Sequence, residues 1–146
     1  MKIRPARSAD VENILAIEQS VPLAAHWSRE KYEEIFDHAD LRRMLVAEDE
    51  TSIKGFVVVR TLGGEWEIEN VAVEGTRMRQ GLGSQLLRTL LSQARSEKVS
   101  TIWLEVRESN HAARRFYEKF LFQERSRRPS YYHNPVDDAI IYMLYL

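Results

Sequence analysis

The chain has no cysteine. That excludes disulfides, thiolate metal sites and a cysteine nucleophile together. No apolar run approaches the ~20 residues needed to cross a bilayer. The first residues, "MKIRPARSAD", are polar and do not read as a secretory signal. Neither sign of charge is in excess: 21 Lys and Arg stand against 22 Asp and Glu, for a net charge of −1. No polybasic surface for nucleic acid or anionic lipid is therefore expected. His26, His38, His111 and His133 show no H-E-x-x-H spacing, so no metal is expected either. What remains is 146 residues, 44% apolar and 29% charged. This reads as one soluble globular domain spanning 1–146, with room for a real core. A cytoplasmic protein is expected, as a monomer or weak homodimer.

Patterning divides the chain without repeats or linkers. "KIRPAR" can form a short strand, and Ser8 can cap a helix whose stripe is Val11, Ile14, Leu15 and Ile17. After the loop "PLAAHWS", Ser28 can cap a second helix, "REKYEEIFDHAD". "RRMLVAE" and "IKGFVVVRTL" read as strands joined by the polar turn "DETS". Gly63-Gly64 marks a hairpin into "EWEIENVAV". A helix follows from about Gly81 to Glu97, with Leu82, Leu86, Leu87, Leu90, Leu91 and Ala94 inward. "STIWLEV" is the next strand, so strand, long helix and strand form a βαβ unit with parallel neighbours. A short helix "HAARRFYEKF", a strand "FQERSRR", a loop "PSYYHNPVDD" and a strand "AIIYMLYL" close the chain. The fold class is α+β: about seven strands, mostly antiparallel with one parallel pair, and about four helices on the faces.

One short stretch stands apart. In "RQGLGS", Gly81 and Gly83 sit one residue apart between a strand and the long helix. A helix amino terminus leaves its first N–H groups unpaired and partly positive, and glycine lets a phosphate come close. The amides of Arg79, Gln80, Gly81, Leu82, Gly83 and Ser84 could form such a cradle, with Arg77 adding charge. No Lys-Ser or Lys-Thr follows, as a P-loop requires, and Gln85 and Leu86 stand where a dinucleotide loop needs its third small residue. A plain strand-to-helix turn remains the alternative on these residues alone.

At this point the chain resembles the GCN5-related N-acetyltransferase superfamily, whose phosphate loop reads Arg/Gln-x-x-Gly-x-Gly/Ala. Met78 occupies the first position of that pattern. Backbone contacts need no particular side chain there. "LEVR", "SNHAARR", "FYEKFLF", "RRPSYY", "DDAIIYM" and, near the start, "AAHWS" lie in the order of one subgroup, the bacterial ribosomal-protein-alanine N-acetyltransferases. The likeness spans nearly the whole chain. It implies a sheet whose parallel pair splays apart, and acetyl transfer from acetyl coenzyme A to an amine. The acceptor it implies is a protein or peptide amino terminus, such as that of a ribosomal protein.

That chemistry sets four needs. The cofactor's diphosphate would sit on residues 79–84. Its pantetheine arm would pair with the strand edge at Val71, Ala72 and Val73, where a backbone N–H could also hold a developing oxyanion. The family position of Asn110 bonds the cofactor, although Asn is equally a helix cap. The attacking amine must lose a proton. An α-amine (pKa ~7.7–8.0) needs little help near pH 7.5, whereas neutralising lysine costs about 4 kcal/mol at roughly 1.4 kcal/mol per unit. The resemblance gives this proton to Glu105; pairing with Arg107, two positions along, is the alternative. The leaving thiolate needs a proton in turn, which the resemblance takes from Tyr117. Core filling beside Phe116 and Phe122 is the alternative. Trp27, Tyr131 and Tyr132 fall in the loops that flank the acceptor channel in the family, as walls or as anchors. Glu67 and Glu69 could attract a cationic amine or face water. The same fold could instead serve a small-molecule amine or a lysine side chain, or bind coenzyme A without catalysis.

Overall fold

Two patterns of alternation organise the sheet, and one slip between them opens it. The computed structural model describes residues 1–21, 25–75 and 81–146. Among these, seven strands form one sheet in the order β1-β2-β3-β4-β5-β7-β6. The strands are β1 (Lys2–Pro5), β2 (Arg42–Glu48), β3 (Ile53–Leu62), β4 (Glu65–Val73), β5 (Thr101–Arg107), β6 (Gln123–His133) and β7 (Val136–Tyr145). The helices are α1 (Val11–Gln19), α2 (Arg29–Asp37), α3 (Leu82–Ser96) and α4 (His111–Lys119). β4 and β5 run parallel, while every other neighbouring pair is antiparallel.

Each face of the sheet carries its own core. α3 and α4 cover one face, where Leu86, Leu90, Ile102, Leu104 and Tyr117 meet Val57, Val59 and Ile140. α1 and α2 cover the other, where Ile14 and Tyr32 meet Met44, Val46, Phe56 and Val58. Alternate residues of β2 and β3 serve opposite faces, as the period of two in a strand requires. In β4 the alternation slips: Val59 pairs with Ile68, but Val58 pairs with Asn70, so Glu69 has no opposite residue. This β-bulge moves the later residues to the other face. Trp66 and Ile68 belong to the α3 core, while Ala72 belongs to the α1–α2 core.

Some local expectations need correction. Ser8 does not cap α1. It begins a single 3-10 turn, Ser8–Asp10, and α1 starts at Val11. Asp10 takes the end position, accepting the Arg7 N–H (2.7 Å) and two bonds from the Arg4 guanidinium. Ser28 does cap α2, accepting the Lys31 N–H at 3.2 Å. "PSYYH" is not loop but the end of β6, with the chain reversing at Asn134-Pro135. The strand extends because Tyr132 and His133 pair with Asp137 and Val136 across the hairpin.

Leu86 is fully buried at the middle of the α3 core. Leu86→Ala should lower unfolding free energy by about 2–5 kcal/mol, read as an earlier urea midpoint with an unchanged slope.

Candidate active site

The bulge at Glu69 coincides with the point where β4 and β5 part. Their parallel pairing runs from Glu65 and Thr101 to Ile68 and Leu104, and stops there. Beyond it β4 continues against β3 as far as Val73, and β5 continues against β7 as far as Arg107. The facing edges of Glu69–Val73 and Glu105–Arg107 therefore have no strand partner among the described residues. Between them lies a cleft of about 330 Å³, lined by Ile68 to Val71, Leu104 to Arg107, and residues of α4, β6 and the α1–α2 segment.

Because the gap runs through the sheet, its two ends differ in chemistry. Ile102, Leu104 and Val106 point to the α3–α4 core, so Trp103, Glu105 and Arg107 point to the α1–α2 face. Arg42 stands on that same face, two residues before Met44. It reaches Glu69 with two bonds of 2.6 and 3.3 Å. One mouth thus carries carboxylates. The other carries Tyr117, packed among Phe116 and Phe122 at ring distances of 5.1 and 5.5 Å.

Tyr117 is 5% exposed and lines the cleft. Its hydroxyl makes no hydrogen bond among the described residues. Burial pushes its pKa well above the ordinary tyrosine value. Such a phenol stays protonated, so it can act as a donor and not as a base. The ring of Tyr117 fills core beside Phe116 and Phe122, and the residue also lines the opening.

Glu105 lines the cleft with its side chain 16% exposed, 3.4 Å from Arg128 Nη2. Its partner is therefore on β6 rather than at Arg107. The Arg107 guanidinium instead lies 4.1 Å above the Tyr132 ring and donates to the Pro135 carbonyl. Burial raises the Glu67 carboxyl above the usual range, and the charges of Glu69 and Glu105 add to the rise. Burial, with Glu105 next, raises Tyr132 as well. The result is a carboxylate-lined mouth with an aromatic side wall.

The remaining candidates fall into two groups. Glu69, Val71, Asn110 and Tyr132 line the cleft with Glu105 and Tyr117. Trp27 and Tyr131 do not line it. Trp27 packs on Tyr32 at 5.5 Å with the Lys31 ammonium above it, and Tyr131 meets Tyr132 edge-on at 5.2 Å. Ala72 is buried against the α1–α2 core, and Val73 packs on the opposite one. These two offer main chain rather than side chain. Asn110 caps α4, its Oδ1 accepting the Ala113 N–H at 3.2 Å. Capping uses the oxygen alone and leaves the carboxamide nitrogen beside the cleft.

At the head of α3, Gly81 has φ +78°, a left-handed conformation that favours glycine. The first helical bond there is Gln85 N–H to the Gly81 carbonyl, 3.0 Å. The N–H groups of Leu82, Gly83 and Ser84 precede it and have no partner among the described residues. A Cβ on Gly83 would meet Phe116 at 3.6 Å, an ordinary contact, so internal packing does not require glycine there. These unpaired amides and the bare strand edge suit an extended diphosphate-bearing thioester. Arg79 and Gln80 lie outside the described residues.

Sequence reasoning missed Arg42, Arg128 and a buried cluster of Glu18, Tyr32 and Asn70. The signal for Glu18 was available, since it stands i+4 from Ile14 and i+7 from Val11, on the apolar stripe. No metal-binding group of three or more His, Asp or Glu occurs among the described residues, nor any helix long and apolar enough to cross a membrane.

Residues 9–122 match the model of the acetyltransferase (GNAT) family. The chain belongs to that family, and is an acetyltransferase by descent. Within the family it is similar to a ribosomal protein bS18-alanine N-acetyltransferase from Haemophilus influenzae, at 33% identity over 99% of this chain and 98% of the relative. It matches another of that name from Salmonella typhimurium at 32% over 90% and 97%. Among solved structures, the ribosomal-protein-S18-alanine N-acetyltransferase from Escherichia coli superposes with a TM-score of 0.88. That match has 30% identity and covers 99% of this chain and 92% of the other.

A carboxyl raised on folding destabilises the protein once ionised. The penalty appears as pH rises above the unfolded value (~4.3) and is complete above the folded value. Glu67→Gln should therefore stabilise the protein at pH 7–8 and lose that advantage as the pH falls towards 4, measured by urea midpoints across the range.

Proposed function

We propose that the protein transfers the acetyl group of acetyl coenzyme A to the α-amine of a protein amino terminus, by direct attack in a ternary complex. The observation that carries the reading is the cleft through the sheet, with carboxylates at one mouth and the Tyr117 hydroxyl at the other. Acetyl coenzyme A supplies an acetyl thioester as co-substrate. The main-chain edge of Val71, Ala72 and Val73 and the amides of Leu82, Gly83 and Ser84 hold it on the Tyr117 side. Asn110 adds its carboxamide nitrogen. The acceptor amine enters past Glu69, Glu105 and Tyr132. Glu105 takes a proton from the amine, directly or through water. As the new C–N bond forms and the C–S bond breaks, the Tyr117 hydroxyl donates its proton to the departing sulfur. The absence of cysteine agrees with a mechanism that needs no acetylated thiol on the enzyme.

The acceptor follows from the size of the proton-transfer task. A single ion-paired carboxylate suffices for an α-amine that is already partly neutral, and is a poor match for lysine. The likeness to bS18-alanine N-acetyltransferases points to a ribosomal protein with an amino-terminal alanine as the acceptor, and so to action in the cytoplasm.

Two measurements test this. A peptide with a free amino-terminal alanine should be acetylated, while the same peptide with a blocked terminus and an internal lysine should not. The opposite preference would move the reading to lysine or small-molecule amines. Tyr117→Phe should reduce turnover on the order of 10²-fold, with acetyl-CoA affinity and melting temperature unchanged, because the lost hydroxyl holds no hydrogen bond among the described residues. Undiminished turnover would remove Tyr117 from the mechanism.

A further inference from the structure

Beside the acceptor mouth, on the α1–α2 face, one carboxylate oxygen collects three donors. Glu18 Oε1 accepts from the Tyr32 hydroxyl (2.6 Å), the Trp27 main-chain N–H (2.6 Å) and Asn70 Nδ2 (3.2 Å). Asn70 Nδ2 also donates to the Tyr32 hydroxyl at 2.8 Å. Glu18 is 1% exposed, Tyr32 0% and Asn70 5%. Burial first, and then the hydrogen bond to Glu18, raise the pKa of the Tyr32 hydroxyl and so hold its proton.

Through these bonds Glu18 joins four pieces of chain: α1, the segment between α1 and α2, α2, and the bulge of β4; Arg29 with Glu12 and Asn70 with Tyr32 add further links among these pieces. Two of them build the cleft. Val21 and Ala25 belong to that segment and line one wall, and Asn70 lies in the other wall next to Glu69. A buried carboxylate is costly unless it is fully bonded, so a chain that keeps one gains a fixed geometry in return. We infer that Glu18 is the positioning residue for the acceptor: it holds the α1–α2 segment at a set distance from the β4 bulge and so fixes the width of the acceptor mouth. This rests on the proposed function only for what enters the mouth.

The two walls are not equally dependent on it. β4 is held by its ladder with β3, which pairs Val71 with Val57 and Val73 with Gly55 on the far side of the bulge. Residues 25–27 have no such ladder. Loss of the Glu18 oxygen should therefore release the α1–α2 segment while leaving the strand edge in place. The acceptor should suffer and acetyl coenzyme A should not.

The test uses the full chain, acetyl-CoA and a peptide with an amino-terminal alanine. Glu18→Met keeps length and removes the acceptor oxygen. It should raise the peptide KM by about tenfold or more, with the acetyl-CoA KM within about twofold of wild type. Glu18→Gln retains a carboxamide oxygen for the same three donors and should recover most of the peptide KM. Amide hydrogen exchange at Trp27 should quicken in Glu18→Met, with the β3–β4 amides unchanged. If Glu18→Met does not fold, Tyr32→Phe decides. It removes one donor and should raise the peptide KM alone by a smaller factor. An unchanged peptide KM in a folded variant, or a parallel rise in both KM values, would overturn the inference. If the wild-type protein acetylates no peptide, the proposed acceptor is wrong. The Trp27 exchange then tests the clamp independently: fast exchange in Glu18→Met supports it, and exchange as slow as in wild type refutes it.

Discussion

The structure depends on one backbone event, the extra residue in β4 opposite Val58 and Val59. A bulge increases twist and bends its strand. Here it follows directly on Ile68, the last residue paired with β5. Both strands keep an outer neighbour, so neither loses its place in the sheet. Only the two facing edges give up their partner. An unpaired strand edge inside a protein is costly unless water or a ligand satisfies it. That cost makes the gap a site for an amide-bearing chain.

The same bulge sorts the chemistry between the two faces. Glu69 reaches Arg42 on the α1–α2 side, and Asn70 joins Glu18 and Tyr32 there, whereas Val71 packs on the α3–α4 core. An acceptor amine and a thioester can then approach from opposite sides of one sheet without competing for space. Carboxylates line one mouth, and a buried phenol that stays protonated lines the other.

Around this gap the fold is conservative, with ion pairs that tie elements far apart in sequence. Arg4 bonds Asp10 and Glu48, joining β1, the first turn and β2. On the α3 side, Arg43 lies over the Trp66 ring and bonds Glu97. Tyr142 accepts from Arg114 and donates to Glu118, which holds α4, and with it Tyr117, against β7. In the α1–α2 segment, the Trp27 N–H is held by the Glu18 carboxylate.

Local pattern alone determined much of this protein. The leucine spacing of α3, the Gly63-Gly64 hairpin, the Ser28 cap and the order of strands and helices follow from side-chain period and turn chemistry, which act over a few residues. The glycines before α3 were legible for the same reason, as were the cleft positions of Glu105, Tyr117 and Asn110 through the family motifs that contain them. Tertiary structure decided what depends on register between distant segments. The Glu69 bulge, the choice of Arg128 rather than Arg107 for Glu105, the stacking of Trp27 on Tyr32 and the convergence on Glu18 each join residues from separate strands and helices. No period along the chain encodes such meetings, because a one-residue slip between two strands changes which side chains share a face while leaving the sequence of each strand unaltered.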